Sequence, residues 1–281
     1  MQRCGASEAP VHAALGAVRA QQLVTINVAA LAELESGPSP KALVWTPERV
    51  ARWRVTGEVP STVMVWTAQQ TKTFLERAAG HSYFTLFHLV AFLGLRRGEA
   101  CGLRWSDVDL DARTVSVLQQ IVQVGWATEV TTPKSGAGER DLALAEVTVG
   151  VLNRHQQAQR KAKAAAGTAW IDSGLVSTKA DGDALHPAWV SDEFKLLVKE
   201  ADLPPIRLHD LRHGAASLAL AGGVDVKVVS EMLGHSTTAI TRDTYTAVFD
   251  ELKHAAAAAI AAAINGARPG ARAPGASAGA A

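Results

Sequence analysis

Near the middle of the chain, residues 114–144 read as strand, and helical periodicity flanks them on both sides. That placement restricts the fold to a mainly helical domain with one small sheet inserted. Residues 114–124 are rich in Val, Ile and Gln, and 127–132 and 140–144 are two further strand candidates. The Pro-Lys-Ser-Gly-Ala-Gly run at 133–138 supplies a turn between the last two. The pattern therefore predicts three strands in a single antiparallel sheet, within an α+β fold that is mainly α.

Thr67 is a natural N-cap for a helix running through Phe74 and Leu75, and a strongly apolar helix over 81–95 ends in a glycine-rich run. After the sheet, helical patterns cover 145–166, 187–201, 208–221, 226–233, 238–248 and 250–264. Pro187 stands at a permitted first-turn position, and Gly222, Gly223 and Gly234 separate the short helices. Before the sheet, 11–34 reads as one helix and 36–40 as a breaker-rich linker. Residues 41–62, with Trp45, Trp53 and several Gly and Pro signals, read as an extended connector. Beyond Asn265 only Gly, Ala, Pro, Arg and Ser remain, a composition that cannot bury a core and is expected to be disordered.

Several function classes are disfavoured. No apolar run reaches the ~20 residues needed to span a bilayer. Arg3, Glu8, Pro10 and His12 interrupt the start, so it has no signal-peptide core. Cys4 and Cys101 cannot make a disulfide framework, which fits a reducing cytoplasm. His81, His88, His155, His186 and His254 lack ligand-like spacing with Cys or carboxylates, so no metal or other cofactor is expected. Lys and Arg number 28 against 27 acidic residues, so composition alone does not suggest nucleic acid. The basic run at 154–163 reads more readily as a solvated helix face than as a phosphate contact.

Four islands carry chemistry: Gly-Leu-Arg-Arg-Gly-Glu at 94–99, Thr-Pro-Lys at 132–134, His-Asp-Leu-Arg-His at 209–213, and Leu-Gly-His at 233–235 followed by Thr-Tyr at 244–245. Each alone has a plain structural explanation: a solvated helix end, an exposed turn lysine, a surface His–Arg pair, a rim tyrosine. Together and in this order they resemble the tyrosine recombinase, or phage integrase, family. That family pattern runs Arg, Lys in a β-hairpin, His-x-x-Arg, His or Trp, then Tyr, and the resemblance covers 63–253. A type IB topoisomerase shares the chemistry, but the His-Asp-Leu-Arg-His and Leu-Gly-His contexts favour an integrase.

The resemblance implies a site-specific DNA recombinase with Arg96, Lys134, His209, Arg212, His235 and Tyr245 as catalytic residues. Tyr245 attacks phosphorus, forming a 3′-phosphotyrosine and freeing a 5′-hydroxyl. Arg96 and Arg212 stabilise charge on the non-bridging oxygens, since guanidinium forks grip phosphate in a fixed plane. Lys134 protonates the leaving oxygen. His209 takes the tyrosine proton or holds the phosphate, and His235 donates a hydrogen bond to it. Gly-Leu-Arg-x-x-Glu aligns Arg96 rather than Arg97, with Glu99 as the acidic residue that orients the site; His213 reads as structural. The implied partner is double-stranded DNA, with a monomer when free and a homo-tetramer on DNA, for integrating or excising a phage or mobile element. By the same resemblance, 1–40 holds the last helix of a core-binding domain and its linker, 41–62 a connector, 63–253 the catalytic domain, and 254–281 an Ala-rich helix and tail. One helix where the family carries a bundle implies a chain shortened at its N-terminus. A catalytically idle DNA-binding remnant is the alternative.

Overall fold

The computed structural model describes residues 42–133 and 138–238 together with Thr241, Val248 and Ala257. The chain divides into two compact units, Met1–Pro40 and Lys41–Ala281, and the described residues all belong to the second. The 11–34 helix, the 36–40 linker, Lys134, Tyr245, most of the two last helices and the tail lie outside the described residues.

The stretch expected to be an extended connector is folded. Two short strands, β1 (Leu43–Val44) and β2 (Met64–Val65), pair in parallel, with Leu43 opposite Met64. Between them runs α1, Pro47–Thr56, started by Thr46, whose hydroxyl accepts from the Arg49 amide. Pro47 fits the first turn, and Gly57 ends the helix in the left-handed region at φ 72°. These are local start and stop signals, and they outweigh the Trp and Pro content that suggested extension. Each strand delivers a buried tryptophan. The indole N–H of Trp45 donates to the Pro205 carbonyl at 3.1 Å, and that of Trp66 to Pro204 at 2.9 Å. These two bonds pin the lead-in to the helix that starts at Leu208.

Helix α2 (Ala68–Ala78) carries the expected cap as a full capping box between Thr67 and Gln70. Helix α3 (Phe84–Leu93) is buried along almost its whole length and forms the centre of the domain. It is shorter than the 81–95 pattern because Gly94, at φ 64°, turns the chain away. Phe74 of α2, Phe87 of α3 and Phe194 pack as a triad with ring centroids 4.9–5.7 Å apart, and Trp66 joins them.

A short helix α4 (Arg97–Gly102) leads into the β region: β3 (Val108–Asp109), β4 (Thr114–Val117), β5 (Gln120–Val124), β6 (Ala127–Thr131) and β7 (Arg140–Ala143). The single predicted sheet is in fact two. Strands β3, β4 and β7 form one antiparallel sheet, with Thr114 opposite Ala143. Strands β5 and β6 form a separate hairpin, turned at Gly125 and Trp126, with Gln120 opposite Thr131. Leu118 and Gln119 break the long 114–124 strand, so β7 pairs with β4 and not with β6. The 133–138 segment thus joins two sheets and does not turn one hairpin.

Four helices complete the described part: α5 (Glu146–Ala166), α6 (Pro187–Glu200), α7 (Leu208–Ala221) and α8 (Val226–Leu233). On α5, Arg154, Arg160, Lys161 and Lys163 are exposed, consistent with a solvated face. Thr238, Thr241 and Val248 have helical backbone, and Val248 packs with Ala42, Val44 and Val65. Among the described residues no helix is long and apolar enough to cross a membrane.

Candidate active site

The site is assembled around the C-terminal end of α8. The last carbonyls of a helix have no intrahelical partner, and that end carries the negative pole of the macrodipole. Here three consecutive carbonyls accept from three different arginines. Met232 accepts from Arg140 Nε at 2.7 Å, Leu233 from Arg212 Nη2 at 2.5 Å, and Gly234 from Arg96 Nη2 at 3.1 Å. The three donors come from β7, α7 and the residue capping α4.

Each arginine is delivered by a local device. Gly94 must be glycine twice over: its φ is positive, and an added Cβ would lie 2.8 Å from the Leu233 side chain. It sends Leu95 into the core and leaves Arg96 at the head of α4, while its carbonyl accepts from Arg212 Nη1. On α4 an added Cβ at Gly98 would meet the Ile121 carbonyl at 2.6 Å, so that glycine lets β5 pack directly against the helix. Arg212, on the buried side of α7, is 2% exposed. Asp210 on the same helix accepts from the Arg207 amide and guanidinium at 2.6–3.0 Å, which squares off the start of α7.

Glu99 ties two of the arginines together from a fully buried position. Its Oε1 accepts from Arg96 Nη1 at 2.6 Å and from Arg140 Nη1 at 3.2 Å. Its Oε2 accepts from the Arg96 amide and Arg140 Nη2, both at 2.8 Å. Burial alone would raise the carboxyl pKa, but hydrogen bonds and charge from Arg140, reinforced by Arg96, hold it below the usual carboxylate range. Arg97 points elsewhere and donates to Ser191 Oγ at 2.8 Å. Arg96 therefore joins the carbonyl cluster and Arg97 does not.

The histidines line the same end. His235 follows Gly234 directly; its amide donates to the Ser230 carbonyl at 3.0 Å, and its Nδ1 shares a hydrogen bond with Thr241 Oγ1 at 2.9 Å. His209 and His213 lie one turn apart on α7 with perpendicular rings 4.8 Å apart. Burial, followed by the positive field of Arg212, Arg96 and Arg140, pushes His235 down to about 4. Burial and Arg212 likewise lower His209, and burial with His209 takes His213 to about 4. All three rings are neutral at pH 7, so each presents one N–H donor and one acceptor. Among the described residues no three His, Cys, Asp or Glu side chains gather as a metal site.

These depressed values set a direction for acid sensitivity. Between the solution value of 6.5 and about 4 the unfolded chain binds protons that the folded rings exclude. Stability is thus complete above pH 6.5 and is lost as the pH falls toward 4. The melting temperature is expected to drop by about 5 °C or more between pH 7 and pH 5. A flat profile across that window would mean that the rings titrate as they do in solution.

The structure therefore brings Arg96, His209, Arg212 and His235 together. Lys134 and Tyr245 lie outside the described residues. Pro133 and Gly138, which bracket Lys134, are in contact, since a Cβ on Gly138 would lie 2.4 Å from Pro133 Cβ. Thr241, four residues before Tyr245, bonds to His235. Sequence reasoning missed Arg140. The available signal was the alternation Arg140, Leu142, Leu144, which puts the arginine on the inward face of a strand.

The family model described as the phage integrase family matches residues 65–251. The chain belongs to that family. Similar family members include a tyrosine recombinase XerC-like protein of Caldanaerobacter subterraneus, 28% identical over 208 residues that cover 70% of this chain and 53% of that protein. The ICEBs1 integrase of Bacillus subtilis is 30% identical over 182 residues, covering 64% of this chain and 49% of its own length. The chain spans about half the length of these relatives. In fold it resembles the Tn1549 transposon integrase solved in complex with transposon right end DNA, with a TM-score of 0.58 at 20% identity, over 73% of this chain and 68% of that one. The mainly α architecture with small antiparallel sheets is accordingly the tyrosine recombinase catalytic fold.

Proposed function

We propose that this chain is a site-specific DNA recombinase or integrase that breaks and rejoins strands through a 3′-phosphotyrosine on Tyr245. The observation that carries the reading is the closure of Arg96 and Arg212 on adjacent carbonyls at the end of α8, beside His235. A phosphoryl-transfer centre without a metal needs cations held rigidly where charge develops, and carbonyl anchors supply that rigidity. In this reading Arg96 and Arg212 bind the non-bridging oxygens and His235 donates to one of them. Neutral His209 accepts the tyrosine proton or holds the phosphate, and Lys134 protonates the leaving 5′-oxygen.

The substrate is double-stranded DNA, and the biological outcome is integration or excision of a phage or mobile element. Residues 63–253 form the catalytic domain, and 1–40 derive from a core-binding domain. The chain acts in the cytoplasm, as a monomer when free and a homo-tetramer on DNA. The relatives named above, among them an integrase solved on transposon-end DNA, support this reading.

A pool of nicked duplexes of random sequence tests it. Cleavage near the nick frees a short strand bearing the 5′-hydroxyl, so the covalent protein–DNA ester is trapped. Adducts that survive denaturant and heat and enrich one sequence are the expected result. Duplex binding with no adduct from any sequence would favour the DNA-binding remnant instead.

A further inference from the structure

Arg140 is the one member of the arginine cluster that the family pattern did not single out, and its side chain makes four hydrogen bonds. Its Nε donates to the Met232 carbonyl at 2.7 Å; its Nη1 reaches Glu99 Oε1 at 3.2 Å and the Gly138 carbonyl at 2.9 Å; its Nη2 reaches Glu99 Oε2 at 2.8 Å. One planar group therefore ties together three separate parts of the chain. We propose, on the strand-transfer reading above, that Arg140 is a positioning residue: it fixes the carboxylate that holds Arg96, the helix end that carries His235, and the chain immediately after the Lys134 segment.

Stability alone is a poor reason for this arrangement. A buried ion pair is replaceable by apolar side chains of similar volume with little or no loss of stability. What an apolar pair cannot do is constrain direction. The guanidinium offers five N–H groups in a rigid fork, and the four bonds seen here use that geometry. A lysine ammonium at the same place has three donors on one atom and cannot span Glu99, Met232 and Gly138 together.

The charge arrangement points the same way. The Arg140 side chain is 7% exposed and that of Arg96 is 36% exposed, so of the two that share Glu99 it is Arg96 that opens to solvent. Both share the Glu99 carboxylate. Two guanidiniums on one carboxylate leave a net positive charge, and the accessible Arg96 presents it. Without Arg140 the carboxylate would neutralise Arg96 alone.

The test compares Arg140→Lys and Arg140→Gln with the wild-type chain. The probe is the nicked duplex enriched from the random pool, or the unselected pool if nothing is enriched. Melting curves establish that each variant is folded at the assay temperature. Arg140→Lys keeps the charge and is expected to bind the duplex with unchanged affinity while forming adduct about 100-fold more slowly in a single turnover. Arg140→Gln removes a cation near His235, so the His235 ring, followed by NMR against pH, should titrate upward from its wild-type value.

A folded Lys variant with wild-type adduct rate, or a Gln variant with an unmoved His235 titration, overturns the positioning role and leaves the functional reading intact. If the wild-type chain forms no adduct, the functional reading fails. Hydrogen exchange at the His235 amide, which donates to the Ser230 carbonyl, then decides on its own: faster exchange in the folded Lys variant supports the hold of Arg140 on that helix end, and an unchanged rate overturns it.

Discussion

Tyr245→Phe is expected to abolish covalent attachment to DNA while leaving folding and duplex affinity close to wild type. Only the nucleophilic oxygen is lost, and the ring that remains has the same shape and nearly the same volume. Tyr83 is the other tyrosine of the chain, and it is half-buried at the head of α3 with a phenol pKa raised by burial and by Glu193. A raised pKa makes a poorer supply of phenolate, and the position is outside the cluster at the end of α8. Denaturing gels of the trapped complex check the expectation directly. Adducts of undiminished yield from the Phe variant would remove Tyr245 from the mechanism.

The second large effect is expected at Glu99. Its carboxylate is buried and receives four hydrogen bonds from two arginines. Glu99→Ala leaves the buried Arg140 guanidinium without its counter-charge, and breaking one side of such a pair costs about 3–5 kcal/mol. Arg96, more exposed, relaxes into solvent and leaves the Gly234 carbonyl. Urea unfolding of the Ala variant measures the loss, and the same variant should be defective in adduct formation even at temperatures where it is fully folded. A stability loss below about 1 kcal/mol would mean that the carbonyls of Met232 and Gly138 suffice to hold Arg140. The pH dependence has a definite sign as well. The Glu99 pKa lies below its solution value of 4.5, so its contribution is intact above that value and is lost as the pH falls through the folded pKa.

Local signals in the chain were sufficient for much of this architecture. Helices α7 and α8 occupy the predicted 208–221 and 226–233, because glycines at 222–223 and 234 stop them and nothing distant competes. Thr67 caps α2 as its side-chain chemistry requires. Helix α1 is also locally encoded, by Thr46, Pro47 and Gly57, although tryptophans with Gly and Pro read as an extended connector. Trp45 is buried, meets Trp53 edge-on at 6.0 Å and donates to the lead-in to α7, a tertiary contact.

By itself the sequence determined which side chains of the site exist and in what order: Arg96, His209, Arg212 and His235 stand in a pattern whose residue types suit phosphoryl transfer. Tertiary structure alone decided how they are held. Strand pairing is non-local, so the alternation within 114–144 revealed strands without revealing that β7 skips the hairpin to join β4. The anchors of the arginines are the backbone carbonyls of Gly94, Gly138, Met232, Leu233 and Gly234. Every residue has a carbonyl, so no composition or spacing marks these five. Only the packing of α3, α4, α7, α8 and β7 against one another brings them within reach of the cations, and Arg140 acquires its role from that packing.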